Sequence, residues 1–146
     1  MKMKKIYLGS DHAGFLAKEE VKKILDDLKV DYEDLGTYNM KTKVDYPIYA
    51  KKVAEKVSCD KENLGILICG SGTGMQIAAN KTHGIRAAFA YDKYSAIMAR
   101  KDNNANIVTL RARNFDHRRY KSIISNFLKT KFSNEPRHIK RIDLLE

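Results

Sequence analysis

The stretch from Leu64 to Lys81 constrains the fold of this chain more than any other. Leu64-Gly65-Ile66-Leu67-Ile68-Cys69 is a short apolar run with β-branched residues, and it reads as a buried strand. Gly70-Ser71-Gly72-Thr73-Gly74 follows, with glycine at alternate positions, and Gln76-Ile77-Ala78-Ala79-Asn80-Lys81 then suits a helix. A strand, a glycine turn and a helix start leave backbone N–H groups pointing outward. Aligned peptide dipoles add roughly half a positive charge there. Cys69, the last strand residue, opens onto that end, where amide hydrogens favour a sulfur anion. The loop is not the dinucleotide pattern Gly-x-Gly-x-x-Gly, and no Gly-Lys-Ser/Thr follows to make a Walker A loop. Glycine turns after strands are common, and a buried cysteine is often only structural. Their conjunction is what marks a site.

The rest of the chain alternates strands with helices. Lys5-Ile6-Tyr7-Leu8 is a candidate first strand, ending in Gly9-Ser10-Asp11-His12-Ala13-Gly14. Val21, Ile24, Leu25 and Leu28 fall at helical spacing, and Tyr32-Glu33-Asp34-Leu35 before Gly36 reads as a short strand. The polar span 37–44 reads as a loop. Tyr46-Pro47 then starts a helix that repeats the apolar spacing at Ala50, Val53, Ala54 and Val57. Ile85 to Ala90 and Ile107 to Leu110 are further strands, separated by a helix over Tyr94 to Arg100. Tyr120, Ile123, Ile124 and Phe127 mark another amphipathic helix. A last helix carries Ile139, Ile142, Leu144 and Leu145, too apolar for a free surface, and is expected to pack on a neighbouring subunit.

Alternation of this kind predicts an α/β fold with a parallel sheet covered on both faces, and ligands bind beyond the carboxyl ends of such strands. Three polar clusters belong to those ends: Ser10-Asp11-His12, Cys69 to Gly74, and Arg111 to Arg113. The cluster Asp102-Asn103-Asn104 is expected to join them on folding. At 146 residues the chain is one domain by size. No apolar run approaches the ~20 residues of a bilayer span, so no membrane partner is expected. The basic start Met1-Lys2-Met3-Lys4-Lys5 precedes an apolar run too short for a signal peptide. Two cysteines, Cys59 and Cys69, give neither a disulfide framework nor metal spacing, and a reduced, cytoplasmic protein is expected. The net charge of +10 admits either a nucleic-acid partner or anionic substrates. Lysines scattered along solvated helix faces supply most of it, whereas many arginines lie beyond residue 110.

Each cluster has two readings. Asp11 caps a helix and His12 is a surface residue, or the pair serves a substrate. Cys69 is a nucleophile or a base, and no fixed partner for an acyl-transfer triad stands out. A small anion in the glycine loop would bring a C–H bond to the sulfur, while loop amides stabilise the developing oxyanion. Arg137 and Arg141, one helical turn apart, grip one phosphate or form a solvated basic face.

Seven motifs, in order, carry a resemblance. They are Ser10-Asp11-His12-Ala13-Gly14, Asp45-Tyr46-Pro47, Cys69 to Gly74, Ile77-Ala78-Ala79-Asn80-Lys81, Gly84-Ile85-Arg86-Ala87, Asn103-Asn104-Ala105-Asn106 and Arg137-His138-x-x-Arg141. Together they resemble the ribose-5-phosphate isomerase B family, which includes galactose-6-phosphate isomerase subunits. The resemblance implies a Rossmann-like three-layer α/β/α sandwich with a five-stranded parallel sheet over residues 1–146. It implies a homodimer or dimer of dimers with sites at the subunit interface. The implied reaction interconverts ribose 5-phosphate and ribulose 5-phosphate through a cis-enediol(ate) without metal or other cofactor. Cys69 matches the proton-shuttling base, and Met75 stands where another branch carries a glutamate base. Asp11, His12, Gly70, Ser71, Gly72, Thr73, Gly74 and Asn103 match sugar-binding positions. Arg113, with Arg137 and Arg141 from the partner chain, matches the phosphate grip. Asp102 departs from the family's usual histidine, which assists ring opening, and leaves a hexose 6-phosphate open as substrate. His12 or a partner's His138 is expected to cover part of that role. Arg111 replaces a usual small residue. A basic nucleotide- or nucleic-acid-binding module is the competing class, and it predicts salt-sensitive polyanion binding indifferent to Cys69→Ala.

Overall fold

The computed structural model describes residues 4–146. Five parallel strands form one sheet: β1 (Ile6–Ser10), β2 (Tyr32–Asp34), β3 (Leu64–Cys69), β4 (Ala87–Phe89) and β5 (Ile107–Arg111), in the order β2-β1-β3-β5-β4. The helices are α1 (Phe15–Asp27), α2 (Tyr46–Ser58), α3 (Thr73–Ala79), α4 (Lys93–Lys101), α5 (Tyr120–Lys129) and α6 (Pro136–Asp143), with a 3-10 turn at His117–Arg119. This is the expected Rossmann-like arrangement, and the central strand and its glycine turn fall where the apolar run ends. Among the described residues no helix is long and apolar enough to cross a membrane.

Strand alternation sorts the core into two layers. Leu64, Ile66 and Ile68 of β3 face one side, packing with Ala17, Val21 and Leu25 of α1, Ala96 of α4, and Ile123, Ile124 and Phe127 of α5. Leu67 and Cys69 face the other, against Ala50, Val53, Ala54 and Val57 of α2 and Met75 and Ala79 of α3. Because β3 is covered on both faces, it reads as a continuous apolar run rather than an alternating one.

This layering decides where a ligand can go. β1 and β3 are neighbours, yet the chain leaves β1 into α1 on one face and β3 into α3 on the other. The diverging turns open a crevice at the carboxyl edge between them. Register fixes what lines it: Ser10 pairs with Ile68, and Cys69 with Arg111. The residues that follow Ser10, Cys69 and Arg111 therefore emerge side by side.

Candidate active site

A cavity of about 380 Å³ occupies that crevice, lined by Asp11, His12, Ala13, Tyr46, Cys69, Gly70, Ser71, Gly74, Arg111 and Arg113. Cys69 is 4% exposed, and its Sγ accepts the Gly72 N–H at 3.2 Å. Gly72 has φ +80, a left-handed conformation open to glycine, and this fold-back carries its amide onto the sulfur. The Thr73 N–H donates to Ser71 Oγ at 3.3 Å, so the loop is tied down by its own side chains. Gly72 and Thr73 hold the loop without lining the cavity. Met75 is fully buried in the core beneath the loop, so Cys69 is the group of base character that this strand-loop junction presents to the cavity.

Asp11 is nearly buried, and its Oδ1 accepts the Gly14 N–H at 2.9 Å. It braces the turn before α1 rather than capping the helix, whose N-cap is Gly14. A Cβ at Gly14 would stand 2.4 Å from the Ile68 carbonyl oxygen, so glycine allows the β1–α1 turn to lie against β3. His12 Nδ1 accepts the Val44 N–H at 3.1 Å. A backbone N–H can only donate, so the neutral ring carries its proton on Nε2. Arg113 lies across Gly70, where a Cβ would meet its Nη1 at 3.2 Å, and the Arg113 N–H donates to the Gly70 carbonyl at 3.0 Å. Arg111 Nε donates to the Arg113 carbonyl at 2.7 Å, and the Tyr120 hydroxyl donates to the Arg111 carbonyl at 2.6 Å. Burial, with the Glu20 charge adding to it, pushes the Tyr120 phenol well up, so this hydroxyl stays a donor at neutral pH. Two guanidinium groups thus face one thiol, carboxylate and imidazole.

The sequence reading is corrected at Asn103. It does not join the cluster at Cys69 but lies beyond α4, ahead of β5, at the amino edge of the sheet. A five-residue strand separates the two edges, on the order of 16 Å. Asn103 lines a second cleft there, of about 600 Å³, with residues 80–88, Ala105 and the chain's last two residues. Arg137 and Arg141 ride on α6, which docks near this same edge: the Ser133 N–H donates to the Lys101 carbonyl, and His138 Nε2 stands 3.7 Å from Asp102 Oδ1. Ser133 Oγ lies 2.7 Å from His138 Nδ1. The expected site residues therefore fall into two groups at opposite ends of the sheet. The structure adds Tyr46 and the Val44 amide to the expected site residues. Tyr46 carried a signal, standing beside the helix-starting Pro47 at a carboxyl edge. Nothing local marked the Val44 amide.

A crevice of this kind, holding a thiol against loop amides with cations across from it, defines an α/β enzyme of small anionic substrates. The chain belongs to the ribose/galactose isomerase family, whose sequence model matches residues 6–145. It is thus an aldose–ketose isomerase. Ribose-5-phosphate isomerase B of Mycolicibacterium paratuberculosis is 38% identical over 141 residues, covering 97% of this chain and 89% of that protein. A ribose 5-phosphate isomerase from Thermotoga maritima superposes with a TM-score of 0.92 at 44% identity, covering 97% of this chain and 96% of the other. Ribose-5-phosphate isomerase B from Mycoplasma genitalium, solved with bound ribulose 5-phosphate, gives a TM-score of 0.93 at 36% identity, covering 99% and 95%.

Proposed function

We propose that this protein interconverts ribose 5-phosphate and ribulose 5-phosphate, with Cys69 as the base. The observation that carries the reading is the Cys69 sulfur, set on the Gly72 amide at the wall of a cavity that also presents Asp11, His12, Arg111 and Arg113. The thiolate takes the proton from C2 of the open-chain aldose. The C–H electrons form a C1–C2 double bond, and the carbonyl oxygen at C1 takes the charge beside the loop amides. The C2 hydroxyl then passes its proton to the C1 oxygen. As the C2–O electrons close to the ketone, the C1–C2 double-bond electrons take the first proton back from sulfur at C1, which leaves a CH2OH group and the thiolate. Asp11 and His12 hold sugar hydroxyls, with His12 Nε2–H as a donor, and Ser71 adds a hydroxyl contact. Arg113 meets the phosphate.

The amino-edge group completes the site from a second copy. In one chain Asn103, Arg137 and Arg141 stand toward the opposite edge of the sheet from Cys69, so in this reading a homodimer supplies them across an interface. The exposed Leu144 and Leu145, and the partly exposed Ile139, are the apolar surface such contact would cover. Residues 1–146 act as one domain in this reading, in a soluble cytoplasmic enzyme.

The test is a coupled assay of purified protein on ribose 5-phosphate, allose 6-phosphate and galactose 6-phosphate, with Cys69→Ala alongside. Turnover of ribose 5-phosphate without added metal is expected, and it should fall by about 10²–10⁴-fold in the variant. Retained turnover in Cys69→Ala removes the sulfur from the chemistry. Preference for a hexose phosphate reassigns the substrate.

A further inference from the structure

Lys18 is a charged residue that packing alone does not explain. It lies in α1, and its side chain is entirely buried. An ammonium in such a place is costly unless paired, and an apolar residue would fill the same space without that cost. Its Nζ is paired with Asp34 Oδ1 and donates to the Thr37 carbonyl oxygen at 2.6 Å. The rings of Phe15 and Tyr38 lie 5.8 and 5.5 Å from it. Burial lowers its pKa, and the hydrogen bond to Asp34 works against that.

What the ammonium holds is the start of the loop that reaches His12. Past β2 the chain stays against β1: Leu35 N–H donates to the Leu8 carbonyl, Ser10 N–H to the Gly36 carbonyl, and Thr37 N–H to the Ser10 carbonyl, each at 2.8 Å. Lys18 secures this segment from the α1 side, and the Tyr38 hydroxyl donates back to the Asp34 carbonyl at 3.1 Å. The loop turns at Asn39, whose Oδ1 accepts the Lys41 and Thr42 amides at 3.0 Å each. Its far end then presents the Val44 N–H to His12 Nδ1. One end is anchored on Lys18 and the other sets the histidine.

We propose that Lys18 is a positioning residue for His12: its buried ammonium fixes the start of the 37–44 loop, so that the Val44 amide holds the imidazole in the Nε2–H form that faces substrate. An apolar residue at position 18 would fill the space and leave the Thr37 carbonyl unheld. The consequence for turnover rests on the role assigned to His12 above. The consequence for the ring does not.

The experiment compares the full-length protein with Lys18→Met, Val44→Pro and the double variant. Lys18→Met/Asp34→Asn serves as a control that leaves no unpaired carboxylate should Lys18→Met fold poorly. Long-range nitrogen-15 NMR of the His12 ring, assigned with His12→Gln, reports the tautomer without reference to activity. Wild type should show Nε2–H alone, and Lys18→Met a mixture, at unchanged helix content by circular dichroism. Turnover number should fall about tenfold in Lys18→Met and in Val44→Pro, with no further loss on combining them. A His12 spectrum unchanged by either Lys18 variant overturns the proposal, as do losses that multiply. If wild type lacks isomerase activity while the tautomer shift appears, the substrate reading fails and the positioning role stands.

Discussion

Gly14 is the residue where fold and site are hardest to separate. Its missing Cβ leaves room for the Ile68 carbonyl, and its N–H steadies the Asp11 carboxylate. A methyl group 2.4 Å from a backbone oxygen cannot be absorbed by rotating a side chain, so the β1–α1 turn must lift off β3. Gly14→Ala is therefore expected to cost about 1–3 kcal/mol in urea unfolding. It should also reduce turnover more than stability alone explains, because Asp11 and His12 move with the turn. An unchanged turnover in a folded Gly14→Ala protein would show that the turn tolerates displacement. Chemical type at single positions was legible in advance: a cysteine ending a strand, then alternating glycines, names its own location. The partners of those residues were not. No periodicity reports that the amide on His12 comes from Val44, because that contact spans 32 positions and depends on the course of an irregular loop.

Elements were legible because each buries one stripe or one run, and that leaves a period in the sequence. The helical spacing at Val21, Ile24, Leu25 and Leu28 and at Ala50, Val53, Ala54 and Val57 appears as α1 and α2. Strand order is a different matter, since β5 inserts between β3 and β4 through pairing that no local pattern encodes. That insertion puts Arg111 beside Cys69 and leaves Asn103 at the other edge. At the sheet's β2 edge, three residues of strand are reinforced by Asp34. Burial alone would raise this carboxyl, but hydrogen bonds from Lys18, the Gly36 N–H and Lys22 outweigh it and hold the pKa below the ordinary 3.8. A depressed carboxylate adds stability above its unfolded value and loses it as pH falls through the folded one. Thermal melts should thus show wild type above Asp34→Asn at pH 7, with the gap closing as pH drops below about 4. A gap that stays constant with pH would mean that the ionised carboxylate is not what secures the edge.

For the whole molecule, the decisive feature is the separation of two groups that the proposed chemistry needs together. Cys69, Asp11, His12 and Arg113 stand at one edge of the sheet, while Asn103 and α6 with Arg137 and Arg141 stand toward the other. A closed two-fold dimer that sets one chain's amino edge against the other's carboxyl edge makes two equal sites, each drawing on both chains. This arrangement can be tested without seeing the interface. Cys69→Ala and Arg137→Ala/Arg141→Ala should each be nearly inactive alone, because every site lacks either its base or its phosphate grip. Unfolded together and refolded as a mixture, half of the dimers pair one chain of each kind. Each mixed dimer then holds one site with both defects and one with neither, so about a quarter of wild-type activity should return. Mixing the folded proteins should restore activity only as fast as dimers exchange. If each site were built within a single chain, no pairing could reunite an intact base with intact arginines, and the mixture would stay as inactive as its parts.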